Sequence, residues 1–149
     1  MAKEIERKFL VRGERWRGLG RRSRRIRQGY LRRDPERVVR VRIADDGAWL
    51  TIKGRPVGAE RAEFEYAIPR ADADDMLAHL CLPPVIEKTR HEITVDGLIW
   101  EIDEFHHPNR GLVLAEVELP RADFPVTLPD WIGEEVTGEP EYYNQNMGL

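Results

Sequence analysis

One cysteine, Cys81, stands in 149 residues. No intramolecular disulfide can form, which points to a reducing compartment. Cys81 lies between Leu80 and Leu82 and reads as a small buried hydrophobe rather than a nucleophile. No apolar run approaches the roughly 18 residues of a membrane span. Met1-Ala2-Lys3-Glu4 runs straight into a strand pattern, without the apolar stretch of a signal peptide. A cytoplasmic protein with no membrane partner is expected. Low-complexity segments, solenoid repeats and linkers are also missing, so residues 1–149 read as one domain, long enough to bury its own core.

What is abundant is charge. Asp, Glu, Lys and Arg make up 34% of the chain while apolar residues reach only 41%, so charge must fill either a very wet surface or an interior site. Net charge is only −3, yet residues 1–42 hold 16 Lys+Arg against 5 Asp+Glu. A basic front and an acidic remainder within one small domain attract each other and can build a site for both anions and metal ions.

The pattern along the chain is mostly strands. Residues 3–11, 25–32, 37–44, 48–54, 61–68, 85–95, 98–105 and 111–119 alternate in character. Asp34-Pro35, Asp45-Asp46-Gly47 and Asp96-Gly97 read as turns. Residues 71–81 switch to helical spacing, with Ala73, Met76, Leu77 and Leu80 on one face and Asp72, Asp74 and Asp75 near the N-terminal end; Pro83-Pro84 stops the helix. Residues 12–24 form a short helix or ordered loop anchored by Trp16 and Leu19, and residues 120–140, with four prolines, read as irregular. Tyr142 to Leu149 reads as a short closing helix.

The first strand sets the theme. Ile5, Phe9 and Val11 point one way, and Glu4, Glu6 and Lys8 the other. Two carboxylates spaced two apart on a strand suit a hard cation such as Mg²⁺ or Mn²⁺, and the lysine suits a phosphate accompanying it. The same kind of pair recurs as Arg40 and Arg42, Glu63 and Glu65, Lys88 and Arg90, Glu101 and Asp103, and Glu116 and Glu118, with Thr51 and Lys53 between. Gln28 and Tyr30 share a face of the second strand. A sheet with one wet face would also show alternation, but it would mix in Ser, Thr, Asn and Gln, which are scarce here. Like charges side by side on one strand repel. They are tolerated where opposite charges or a multivalent ligand face them. A sheet curled with its charged face inward does this and removes its own edges. The fold class expected is mainly β with flanking helices (α+β): a closed antiparallel barrel with a charged interior and an apolar exterior covered by helices and Trp-bearing loops.

This ordered series, from Glu4-x-Glu6-x-Lys8 to Glu116-x-Glu118, resembles the CYTH domain, the triphosphate tunnel metalloenzyme family, over nearly the whole chain. The resemblance implies a tunnel of eight strands that binds a linear triphosphate with divalent metal. It implies Glu4, Glu6, Glu116 and Glu118 as metal ligands, and Lys8, Arg40, Arg42, Lys53, Lys88 and Arg90 as phosphate-holding bases. Glu63 and Glu65 would order those bases, Tyr30 matches a tunnel tyrosine, and Asp103 falls where the family often has a tunnel acid. Catalysis would fall to Glu4, Glu6, Lys8, Tyr30 and Lys88. Glu141-Tyr142-Tyr143-Asn144 resembles the end of short bacterial members, where a terminal helix can partly close the tunnel. The implied activity is Mg²⁺- or Mn²⁺-dependent hydrolysis of inorganic triphosphate, with two ions during turnover. A class IV-type adenylate cyclase, a thiamine or nucleoside triphosphatase, and a non-catalytic binder of polyphosphate or RNA 5′ ends stay open as alternatives.

Other features carry less. His106-His107 before Pro108-Asn109 reads as a turn, since adjacent histidines rarely bring both rings to one point. His79 and His91 read as structural. Arg21-Arg22-Ser23-Arg24-Arg25 lacks an accompanying RNA-binding aromatic motif and reads as a solvated or tunnel-mouth basic surface, so no nucleic-acid partner is expected. A homodimer is expected only from exposed aromatic loops.

Overall fold

The computed structural model describes residues 2–45 and 47–149. Nine strands and one α-helix follow in order: β1 (Lys3–Val11), β2 (Arg22–Arg32), β3 (Val38–Ala44), β4 (Gly47–Lys53), β5 (Glu60–Ala67), α1 (Arg70–His79), β6 (Leu82–Val95), β7 (Leu98–His107), β8 (Val113–Glu118) and β9 (Ile132–Glu135). The sheet runs β5-β4-β3-β2-β6-β7-β8-β1, and a further β5–β1 pairing closes it into an eight-stranded barrel. All these pairings are antiparallel. β9 adds to β1 from outside, opposite Phe9 and Val11. The closing seam is short. β5 pairs with β1 only from Lys3 to Ile5, after which β1 runs on beside β8 from Glu6 to Leu10.

The alternation explains why the barrel is inside out. Ile5 and Phe9 of β1, Ile93 of β6, Trp100 and Ile102 of β7, and Val117 of β8 point outward into one core, covered by Trp16 and Trp131. Phe9 meets Trp100 at 5.5 Å between ring centroids and Trp100 meets Trp131 at 5.9 Å, tilted geometries that suit aromatic quadrupoles. On the opposite side Val41, Ile43 and Ala48 lie under Ala73 and Leu77 of α1. A third cluster sits inside: Tyr30, Val38, Ile86, Phe105, Leu114 and Met147. Val38, Ile86, Phe105 and Leu114 stand two residues from Arg40, Lys88, Asp103 and Glu116 on the same strand faces, so they close one end of the bore with an apolar plug.

The structure corrects several boundaries. The flanking helices reduce to α1 and single 3-10 turns, including Arg15–Gly18, Pro140–Tyr142 and Asn144–Asn146. The C-terminal segment is therefore a strap rather than a helix. Leu80 lies past the end of α1 and is 66% exposed, and Leu19 is exposed while Trp16 alone anchors its turn. Cys81 is half-buried, packed beside α1. The arginine run is part of β2, because the long β6 supplies partners as far as Arg22↔Glu92, and Arg24 reaches both Glu92 and Glu101. Residues 120–140 contain β9. β7 extends through both adjacent histidines, where His106 Nε2 lies 2.7 Å from Thr89 Oγ1. Of the turn read at Asp45-Asp46-Gly47, Asp46 lies outside the described residues.

Candidate active site in the charged bore

Parity along the barrel strands delivers charge to one cavity. Its walls include Glu4, Glu6 and Lys8 from β1, Arg40 and Arg42 from β3, and Lys53 from β4. Lys88 and Arg90 from β6, Glu116 from β8 and Tyr30 from β2 complete that ring. Of the residues the sequence nominated, four stand elsewhere. Asp103 is buried behind the wall, and Glu118, Glu63 and Glu65 sit toward its rim, Glu118 and Glu65 exposed. Glu63 lies 3.5 Å from Lys53, and Glu65 accepts from Thr51 Oγ1 at 2.8 Å and faces Arg40 at 3.3 Å. Both acids thus stand beside bases.

The cations outnumber their partners at one side of the cavity. Asp103 accepts from Lys88 Nζ at 2.7 Å and from Arg90 Nε and Nη2 at 2.8 and 2.9 Å. Those bonds hold the Asp103 carboxyl far below the usual carboxylate range against its burial, and hold Arg90 charged. Lys88 fares differently. Burial, with Arg90 and Arg42 nearby, lowers its pKa to about 7 although Asp103 opposes this. Burial and the neighbouring Arg40 and Arg90 likewise lower Arg42 to about 9. Arg40 Nε is buried without a hydrogen-bond partner. On this side of the bore the bases crowd one another.

The acids present the converse. Burial, then Glu116 and Glu4, push the Glu6 carboxyl well above its ordinary pKa. Burial raises Glu4 too, although Lys53 donates to it at 2.8 Å. Glu118, facing Glu4 and Glu101 across the rim, is raised after partial burial. Only Glu116 is lowered, to about 2, by Lys8 and other bases against its burial; Lys8 Nζ stands 3.5 Å away. Among the described residues neither Glu6 nor Glu118 makes an ion pair. No three His, Cys, Asp or Glu side chains among those residues converge as a ready-made metal cage. The donor chemistry nevertheless fits a hard divalent ion: Glu4, Glu6, Glu116 and Glu118 offer carboxylate oxygens, and Glu6 in particular is a half-buried acid crowded by Glu116 and Glu4.

Arg61 is a wall residue that the sequence reading did not single out. It shares the parity of Glu63 and Glu65 on β5, so its strand position was the signal. Gln28 accepts from Arg42 Nε at 2.9 Å and donates to Asn144 Oδ1 at 3.0 Å and to the Tyr30 hydroxyl at 3.1 Å. Asn144 Oδ1 also accepts from Lys88 at 2.8 Å, and the Tyr142 carbonyl accepts from Lys8 at 2.9 Å. No strand periodicity announces these strap residues.

A CYTH domain profile matches residues 2–146. The chain belongs to the CYTH family. Within it, an inorganic triphosphatase of Acetivibrio thermocellus is 47% identical over 99% of this chain and 94% of its own. One from Nitrosomonas europaea is 34% identical over 98% and 97%. A solved inorganic triphosphatase superposes with a TM-score of 0.68 at 33% identity, covering 96% of this chain and 95% of that one. A solved Pyrococcus furiosus protein shares the CYTH fold at a TM-score of 0.63 and 18% identity, over 79% of each chain. The resemblance read from the paired charges is thereby borne out, as is the closed eight-stranded barrel. No helix among the described residues is long and apolar enough to cross a membrane.

Proposed function

We propose that this chain, acting as a single CYTH domain, hydrolyses inorganic triphosphate to pyrophosphate and phosphate with Mg²⁺ or Mn²⁺, two ions serving during turnover. The observation that carries this reading is that one cavity brings a cluster of crowded cations together with carboxylates, among them the half-buried Glu6, which makes no ion pair among the described residues. The full-length inorganic triphosphatase relatives support it. Triphosphate carries roughly four to five negative charges near neutrality, so its hydrolysis depends on cations placed around it. Arg40, Arg42 and Arg90 offer guanidinium forks for its oxygens, and Lys8, Lys53 and Lys88 act as point charges. Glu4, Glu6, Glu116 and Glu118 would hold the ions, which supply charge neutralisation and a water of lowered pKa. Glu63, Glu65 and Asp103 keep the bases aimed. The Tyr30 hydroxyl, held by Gln28, donates to a phosphate oxygen. Lys88, titrating near neutrality, can give a proton to the departing pyrophosphate oxygen.

A pure anion binder of polyphosphate or RNA ends would have no use for unpaired acids in its bore. The cyclase reading requires an adenine pocket, and the thiamine and nucleoside triphosphatase readings differ only in the group beyond the third phosphate. The same proposal includes a cytoplasmic enzyme without a nucleic-acid partner, and a homodimer that size-exclusion chromatography would reveal. Glu4→Gln and Glu6→Gln should each abolish phosphate release from tripolyphosphate while circular dichroism stays native; ordinary activity in either variant would sink the assignment.

A further inference from the structure

The cavity has a lateral window. β1 leaves β5 after Ile5, and beyond that point two connections cover the gap: residues 54–59 and the strap from Val136 onward. Glu6 N–H donates to the Ala59 carbonyl at 3.0 Å and Val136 N–H to the Lys8 carbonyl at 2.8 Å, which fastens each connection to β1. Pro56, Gly58, Ala59, Thr137, Gly138 and Tyr143 line both the inner cavity and an outer recess. The two spaces therefore meet at this frame. They differ in size, about 80 Å³ within the bore and about 460 Å³ in the recess.

Tyr143 stands in the frame and is pinned there. On one side the Tyr142 carbonyl is bound by Lys8; on the other the Asn144 side chain is bound by Lys88 and Gln28. Met147, buried in the apolar plug, holds the end of the strap. The Tyr143 ring has Lys8 Nζ 5.6 Å from its centroid and Arg61 Cζ at 5.9 Å, both within cation–π range. Arg61 is itself fixed by two bonds to the Gly54 carbonyl, at 3.1 and 2.8 Å. The ring is thus held from the backbone and by two cations.

We infer that Tyr143 is a specificity-determining residue that keeps esterified triphosphates out. The inference rests on the triphosphatase reading and deepens it. An inorganic triphosphate is a narrow chain with no group attached to its terminal phosphates. A nucleoside triphosphate carries a ribose and base beyond its third phosphate, and that bulk needs an exit. The plug of Tyr30, Ile86, Phe105 and Met147 blocks one end. At the other end Arg24 and Arg90 both bridge to Glu101. The window is a path toward the larger recess, and Tyr143 stands between the two spaces, lining both. Lys8 and Arg61 beside the ring attract phosphates of either substrate, so discrimination falls to the ring's bulk rather than to charge.

The test compares kcat/KM for tripolyphosphate and ATP, with Mg²⁺, in the wild-type protein and in Tyr143→Ala, Tyr143→Leu and Tyr143→Phe. The ATP-to-tripolyphosphate ratio should rise about tenfold or more in Tyr143→Ala, the scale on which pocket bulk discriminates substrates, and by a smaller factor in Tyr143→Leu. Tyr143→Phe, which keeps the ring, should leave the ratio within about threefold. A residue that merely steadies the strap would slow both substrates together. An unchanged ratio in whichever of the Ala and Leu variants folds, with the wild type active on tripolyphosphate, overturns this inference alone. A wild type inactive on tripolyphosphate overturns the triphosphatase reading and this inference with it.

Discussion

Asp103 is the anion on which two buried cations depend, and its replacement by asparagine gives a calculable result. Its side chain is 2% exposed, with Lys88 at 1% and Arg90 at 7%. Asparagine keeps the shape but removes the charge and turns an amide N–H₂ toward donors. Removing one partner of a buried ion pair costs about 3–5 kcal/mol, because the remaining charge is left uncompensated. Unfolding entropy near 60 °C is about 2.1 cal/mol/K per residue, or about 0.3 kcal/mol/K for 149 residues. The Tm should therefore fall by about 10–16 °C at pH 7. The pH dependence has a definite sign. The Asp103 carboxyl is depressed in the folded state, so its stabilisation is complete above the unfolded aspartate value of about 4 and is lost as pH falls below it. Glu116, lowered to about 2, contributes with the same sign, so Asp103→Asn should flatten the acid side of the stability profile without abolishing its slope. Scanning calorimetry from pH 7 to pH 3 measures both effects. Adding Lys88→Met should restore part of the lost Tm, since it removes a charge that the first change orphaned. A Tm loss under about 2 °C for Asp103→Asn would refute the claim that this ion pair organises the bases.

Two further outcomes follow from the same electrostatics. Glu6→Gln should raise the Tm in metal-free buffer, because it relieves an acid disfavoured by desolvation and then by Glu116 and Glu4, and should reduce the Tm gain on adding Mn²⁺; thermal melts with and without the ion decide this. Arg40→Ala should lower kcat/KM for tripolyphosphate about ten- to hundredfold, the equivalent of losing one charged hydrogen bond of about 1.5–3 kcal/mol, while Glu65 and Thr51 lose a partner at the rim. Steady-state kinetics that show less than a threefold change would remove Arg40 from the binding set.

Period-two alternation made the barrel legible, because each strand carries one charged and one apolar face and a one-residue slip would exchange them. Glu4, Glu6 and Lys8 on β1 and Arg40 and Arg42 on β3 were placed by that rule alone. The rule also carried Asp103 to the interior, but not its depth: burial behind Lys88 and Arg90 depends on how strands stack across the bore. Other features depend on contacts distant in sequence. β9 is four residues long between prolines, and forms because β1 offers it an edge. The arginine run became strand because the long β6 lies opposite it, with Glu92 across from Arg22. Asn144 and Tyr143 enter the site on an irregular strap, where no periodicity exists to read. The apolar plug went unread: Val38, Ile86 and Leu114 share the parity of the charged positions on their strands, and Met147 joins them only through the folded strap.

The central claim is that this bore is a metal-dependent site for a bare triphosphate. The most direct measurement is phosphate and pyrophosphate release from tripolyphosphate with Mg²⁺ or Mn²⁺ and with chelator, beside ATP under the same conditions. Release that is fast with metal, absent with chelator and slow from ATP is the predicted result. Cyclic AMP and pyrophosphate formed from ATP, or no turnover of either substrate, would contradict it.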